Sequence, residues 1–137
     1  MATGKSEDLG KLLLRISIGL VLLFHGIAKI QGGVEWIKGP LGQLGLPGFI
    51  AYGAYLGEVV GPLMVILGFR ARIGAALMVA NMVMAILLAH RNQIFTLKEQ
   101  GGGWAIELDA LILLGALAVF FFGGGKYGIK GGKTAWD

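Results

Sequence analysis

Hydrophobic residues run along this chain in four long blocks, at about residues 9–29, 49–69, 72–90 and 104–122. Each approaches or reaches the roughly 20 residues with which an α-helix crosses about 30 Å of hydrocarbon. The links between them are short and rich in glycine, and Gly68-Phe69-Arg70-Ala71-Arg72 makes the second and third helices antiparallel neighbours. The pattern predicts an all-α fold, a four-transmembrane-helix antiparallel bundle. A short interfacial segment between helices 1 and 2 is expected in Val34–Pro47, which is too short to span and carries Trp36 as an interface anchor. Residues 1–8 and 129–137 read as tails on either side of one membrane domain, 9–128.

Local signals refine the spans. Pro47 suits a helix entrance, where its missing N–H is harmless. Gly53, Gly57 and Gly61 recur every fourth residue, so a second backbone can approach that face closely. Pro62 follows them and is expected to loosen the helix near mid-membrane. The first block lacks a small-residue cleavage site after it, which favours a retained helix over a signal peptide.

Composition agrees: 55% of residues are hydrophobic, 15% are charged, and mean hydropathy is +0.75. The net charge of +4 does not argue for nucleic acid, because the basic residues bracket spans instead of forming a patch. With the N-terminus inside, eight basic residues fall on the inner side (among them Lys126, Lys130 and Lys133) and four on the outer, which places both termini in the cytoplasm. Cysteine is absent, so disulfide exchange and thiolate metal sites are excluded for this chain, and no metal site is expected.

Ionisable residues inside apolar spans are costly and tend to mark a site. In the topology above, His25 and Lys29 end helix 1, His90 ends helix 3, and Glu107 and Asp109 begin helix 4, all near one face. Glu58 lies about 14 Å below the start of its helix at 1.5 Å per residue. Arg15, His25 and Lys29 share a sector of about 80° on helix 1. From there Arg15 can reach up toward Glu58 or down to a lipid phosphate. Glu107 and Asp109 are about 200° apart, so one faces inward, and Glu107 is taken as that residue. His25, Glu58 and His90 are therefore the candidate proton carriers, and Arg15, Lys29, Asn81 and Glu107 the candidate substrate-binding residues. The bland alternative is that Glu58 forms a register-fixing ion pair, the histidines and Asn81 pack, and the glycines only let helices meet.

Several short pieces together resemble the DoxX family of small four-helix membrane proteins. They are Leu14-Arg15-Ile16-Ser17-Ile18-Gly19, Phe24-His25-Gly26-Ile27-Ala28-Lys29, the stretch from Leu46-Pro47 to Glu58, and Leu67-Gly68-Phe69-Arg70-Ala71-Arg72. Met84–His90, Gly102-Gly103-Trp104 with Glu107, and Gly123-Gly124-Gly125-Lys126-Tyr127-Gly128 complete the order, with Gly123-Gly124-Gly125 departing from a usual Gly-Pro-Gly. The resemblance implies a bacterial or archaeal inner membrane location and a link to redox metabolism. Relatives include the membrane subunit of a thiosulfate:quinone oxidoreductase and scaffolds of thiol-homeostasis enzymes. The leading expectation is a redox-associated, quinone-linked membrane subunit acting with a partner subunit or as a homo-oligomer in the lipid. Quinone is the one cofactor it would take. A non-catalytic scaffold or accessory subunit is the alternative, and a small transporter the third reading.

Overall fold

The computed structural model describes residues 4–98, 101–129 and 136–137. Of the basic residues that set the expected orientation, Lys130 and Lys133 lie outside the described residues, as does most of the expected 129–137 tail. Among the described residues the regular structure is helical, apart from one isolated bridge between Leu97 and Trp104. Helix α1 spans Lys5–Gly32, α2 spans Lys38–Gln43, and a composite helix α3 spans Gly48–Leu67. Helices α4 and α5 span Ala71–Ala89 and Glu107–Phe122. Three of them, α1, α3 and α4, are long and apolar enough to cross a membrane.

The fourth hydrophobic block gives a shorter helix than expected. Trp104 is drawn out of it, because its backbone bridges Leu97 and its indole N–H donates to the Ile94 carbonyl at 2.6 Å. Helix α5 therefore begins at Glu107 and runs 16 residues, about 24 Å at 1.5 Å per residue. At the other end of the chain, α1 starts earlier than the hydrophobicity does. Residues 5–8, expected as tail, are already helical, and Asp8 is buried.

Small residues set how the helices meet. Gly19 lies against Ile66 and Pro62, Gly26 against the Glu58 backbone, Gly57 against Asn81, and Gly61 against Gly74. Each contact is a place where a missing Cβ lets two helix axes approach. Of the expected glycine row, Gly57 and Gly61 pack in this way, whereas Gly53 has nothing within 4 Å. Ile18 and Leu22 of α1, Val65 of α3, Ala75, Met78 and Met82 of α4, and Ile112, Ala116 and Val119 of α5 form the main apolar core. A second cluster of Val34, Ile37, Leu41 and Ala51 fastens the α1–α3 connection down, with Leu88 packed against it.

Pro62 acts as anticipated, though upstream of itself. It has no N–H to return toward the preceding turn, and Leu56–Val60 is wound as a π-helix just before it. That turn carries Glu58. After α3 the chain reverses through Gly68 (φ 71°) and Arg70 (φ 46°), two left-handed residues on either side of Phe69, before α4 begins.

Candidate functional site

Four helices bring their polar residues to one cavity of about 650 Å³. His25 and Lys29 come from α1, Glu58 from the π turn of α3, and Asn81 from α4; His90 ends α4 and Asp109 lies in the first turn of α5. The remaining wall is apolar and includes Leu22, Leu88 and Ile112. The α1–α3 connection covers part of it through Trp36, Ile37, Pro40 and Leu41. Trp36, Leu56 and Leu108 line the cavity and are also exposed at the surface, so the cavity communicates with the exterior of the helices.

At its wall, Lys29 Nζ donates to Glu58 Oε1 at 2.7 Å, with side-chain exposures of 17% and 6%. Lys29 also stands over the Trp36 ring, 5.8 Å from its centroid. The Tyr55 hydroxyl donates to the Lys29 carbonyl at 3.3 Å, which ties the end of α1 to α3. Gly26 makes this approach possible, since a Cβ there would stand 2.6 Å from the Glu58 carbonyl carbon. His25 is one helical turn before Lys29, and its Nδ1 lies 3.1 Å from the Val21 carbonyl oxygen.

A second pair sits at the end of α4. His90 Nε2 lies 3.2 Å from Asp109 Oδ2, and His90 Nδ1 lies 2.8 Å from Gln93 Oε1. This corrects the choice between the two acids of α5. Asp109 faces the cavity, and Glu107 turns to the loop, where it pairs with Lys98. The 200° between them made the choice necessary but could not make it, because the loop position of Lys98 is a tertiary fact.

Arg15 is also corrected. It is 1% exposed and reaches neither Glu58 nor the surface. Its Nε donates to the Val65 carbonyl at 2.9 Å, one terminal nitrogen to Ile66 at 3.0 Å and the other to Gly124 at 2.8 Å. These include the last carbonyls of α3, which have no partner within their own helix. Arg15 thus closes that helix end and binds the segment after α5 to it. Asn81 packs its side chain against Gly57 and makes a long contact to the Met82 sulfur at 3.9 Å, while still lining the cavity. Among the described residues there is no cluster of three or more metal-ligating side chains.

Outside the cavity, the connection is pinned by a surface network. Lys38 Nζ lies 2.9 Å from Glu35 Oε2 and donates to the Tyr52 hydroxyl at 3.3 Å, and that hydroxyl donates to Glu35 Oε1 at 3.1 Å. Hydrogen bonds from Lys38 and then Tyr52 hold the Glu35 carboxyl below its ordinary range, and the bond to Glu35 raises Lys38.

The DoxX family model matches residues 10–91, which include His25, Lys29, Glu58, Asn81 and His90. A curated protein of Bacillus subtilis (strain 168), named "Putative oxidoreductase CatD", is 36% identical over 110 residues, covering 80% of this chain and 76% of its own. No solved structure matches the chain.

Proposed function

The chain belongs to the DoxX family, and from that premise we propose that it is a redox-associated membrane subunit whose cavity takes a quinone. The observation that carries this reading is the Lys29–Glu58 ion pair on the wall of an otherwise apolar cavity. An ion pair placed there is a poor device for stability alone, since desolvating two charges offsets most of their attraction. It is a good device for holding a polar ring oxygen inside greasy walls. The relative named as an oxidoreductase supports the redox assignment.

The residues fit a quinone. A volume of about 650 Å³ lies within the roughly 300–1,000 Å³ of small-molecule sites. Leu22, Leu88 and Ile112 would hold the ring by apolar contact, and Trp36 and Leu41 cover part of the cavity. A bound quinone supplies two-electron, two-proton chemistry. Lys29 Nζ would hydrogen-bond the bound ring, Glu58 holds the ammonium in place, and His25 and the His90–Asp109 pair would exchange protons with bulk water. Electrons come from a partner subunit, since this chain has no cysteine and no group of its own that stores them.

In this reading the four hydrophobic blocks are four antiparallel spans of a multi-pass protein of the inner membrane, with both termini cytoplasmic. Contacts of Gly19 with Ile66 and Gly26 with Glu58, and of Gly57 with Asn81 and Gly61 with Gly74, support the alternating directions. The cavity then lies in the outer half of the membrane. The test is extraction of protein purified from its own membranes, followed by mass spectrometry. Bound quinone is expected in the native chain and lost in Lys29→Met at equal membrane content. Protein that carries none, and binds none when it is added, refutes the reading and leaves the scaffold role.

A further inference from the structure

The polar groups of the cavity are unequal in kind. The Val21 carbonyl has no proton to give, so the 3.1 Å bond to it requires the hydrogen on His25 Nδ1. In the neutral ring Nε2 is then a bare lone pair and can only accept. Glu58 has two carboxylate oxygens, and Lys29, its one partner among the described residues, engages Oε1. Asp109 adds a second carboxylate to the lining. Lys29 gives one of its three N–H groups to Glu58, and the others can donate to a ring carbonyl or a ring hydroxyl oxygen alike. Discrimination therefore lies with the atoms that only accept, His25 Nε2 and the second carboxylate oxygen of Glu58.

Resting on the quinone reading, we infer that the site selects a neutral aromatic ligand bearing hydroxyl groups, the reduced quinol, over its oxidised carbonyl form. A ring hydroxyl donates to His25 Nε2 or to the free oxygen of Glu58. A ring carbonyl only accepts, so it leaves those atoms unpaired against apolar walls. Sites that hydrogen-bond a substrate hydroxyl discriminate against the analogue lacking it for this reason. His25 is thereby the specificity-determining residue. One neutral hydrogen bond gained by the reduced form makes it bind about tenfold tighter. By linkage, tenfold corresponds to a rise of about 30 mV in the two-electron potential of the bound pair.

The test uses the full chain in phospholipid nanodiscs at pH 7 under anaerobic conditions, with empty nanodiscs as the blank. Tetramethyl-1,4-benzoquinone and its hydroquinone are titrated separately by calorimetry. The hydroquinone is expected to bind about tenfold tighter, and His25→Phe to bring the ratio of the two affinities to about one. His25→Gln, whose amide oxygen still accepts, is expected to retain part of the hydroquinone's advantage. His25 is exposed on its helix and bonded only to its own turn, so both variants fold, which circular dichroism checks. Equal affinities for the two forms, a tighter quinone, or an equal loss of both in His25→Phe overturns the inference and leaves the quinone reading standing. Binding of neither form overturns both.

Discussion

Gly26→Ala tests whether the close crossing of α1 and α3 assembles the site. The added Cβ would lie 2.6 Å from the Glu58 carbonyl carbon and 2.9 Å from Val59 Cγ2. Ordinary contact begins at 3.4 Å, so the helices must part by about 0.8 Å at the carbonyl carbon alone. That neighbour is backbone, and no rotamer change relieves it. Overpacking of this kind costs about 1–3 kcal/mol, against which alanine's better helix propensity returns about 0.8–1 kcal/mol. Gly10→Ala is the internal control: it lies on the same helix with nothing within 4 Å, and only the propensity gain applies. The separation also draws Glu58 away from Lys29, so Gly26→Ala should weaken ligand binding where Gly10→Ala does not. Thermal unfolding in detergent, followed by circular dichroism, reads the stability of both variants. If Gly26→Ala melts at or above the temperature of Gly10→Ala, the α1–α3 crossing tolerates a Cβ and does not assemble the site.

Three other substitutions probe separate parts of the structure. Lys29→Met leaves a buried carboxylate unpaired and should cost about 3–5 kcal/mol in denaturant unfolding, whereas Lys29→Met with Glu58→Leu should restore most of that. A double variant as unstable as the single one would show that the loss came from packing. Arg15→Lys cannot supply three directed donors to Val65, Ile66 and Gly124, so it should lower the unfolding midpoint strongly and leave the cavity's ligand affinity unchanged in the folded fraction. The Glu35 carboxyl is held below its ordinary range, so its contribution to stability is present above that range and fades as pH falls through the lowered value. Lys38 is raised, so its contribution persists below its ordinary value and is lost as pH rises through the raised one. Both effects are small because the pair is exposed. Glu35→Gln should flatten the acid limb of a stability-versus-pH curve, and an unchanged acid limb would refute the network.

The hydrophobic blocks and turn residues determined most of the architecture, because helix length and apolar content are local properties of the chain. Pro62 announced an irregular helix, and the close approach of backbones was legible in Gly57 and Gly61. The shared level of His25, Lys29 and His90, with Glu58 deeper, was an expectation from sequence, since depth along a helix is fixed at 1.5 Å per residue. Rotation about the helix axis is not fixed in that way. Whether Asp109 or Glu107 faced the cavity depended on where Lys98 and His90 came to rest. Arg15 shares a helix face with Lys29 yet serves carbonyls of α3 and of the segment beyond α5. Its partners lie 50 or more residues away in the chain, and only the tertiary structure brings those carbonyl groups within reach of its guanidinium.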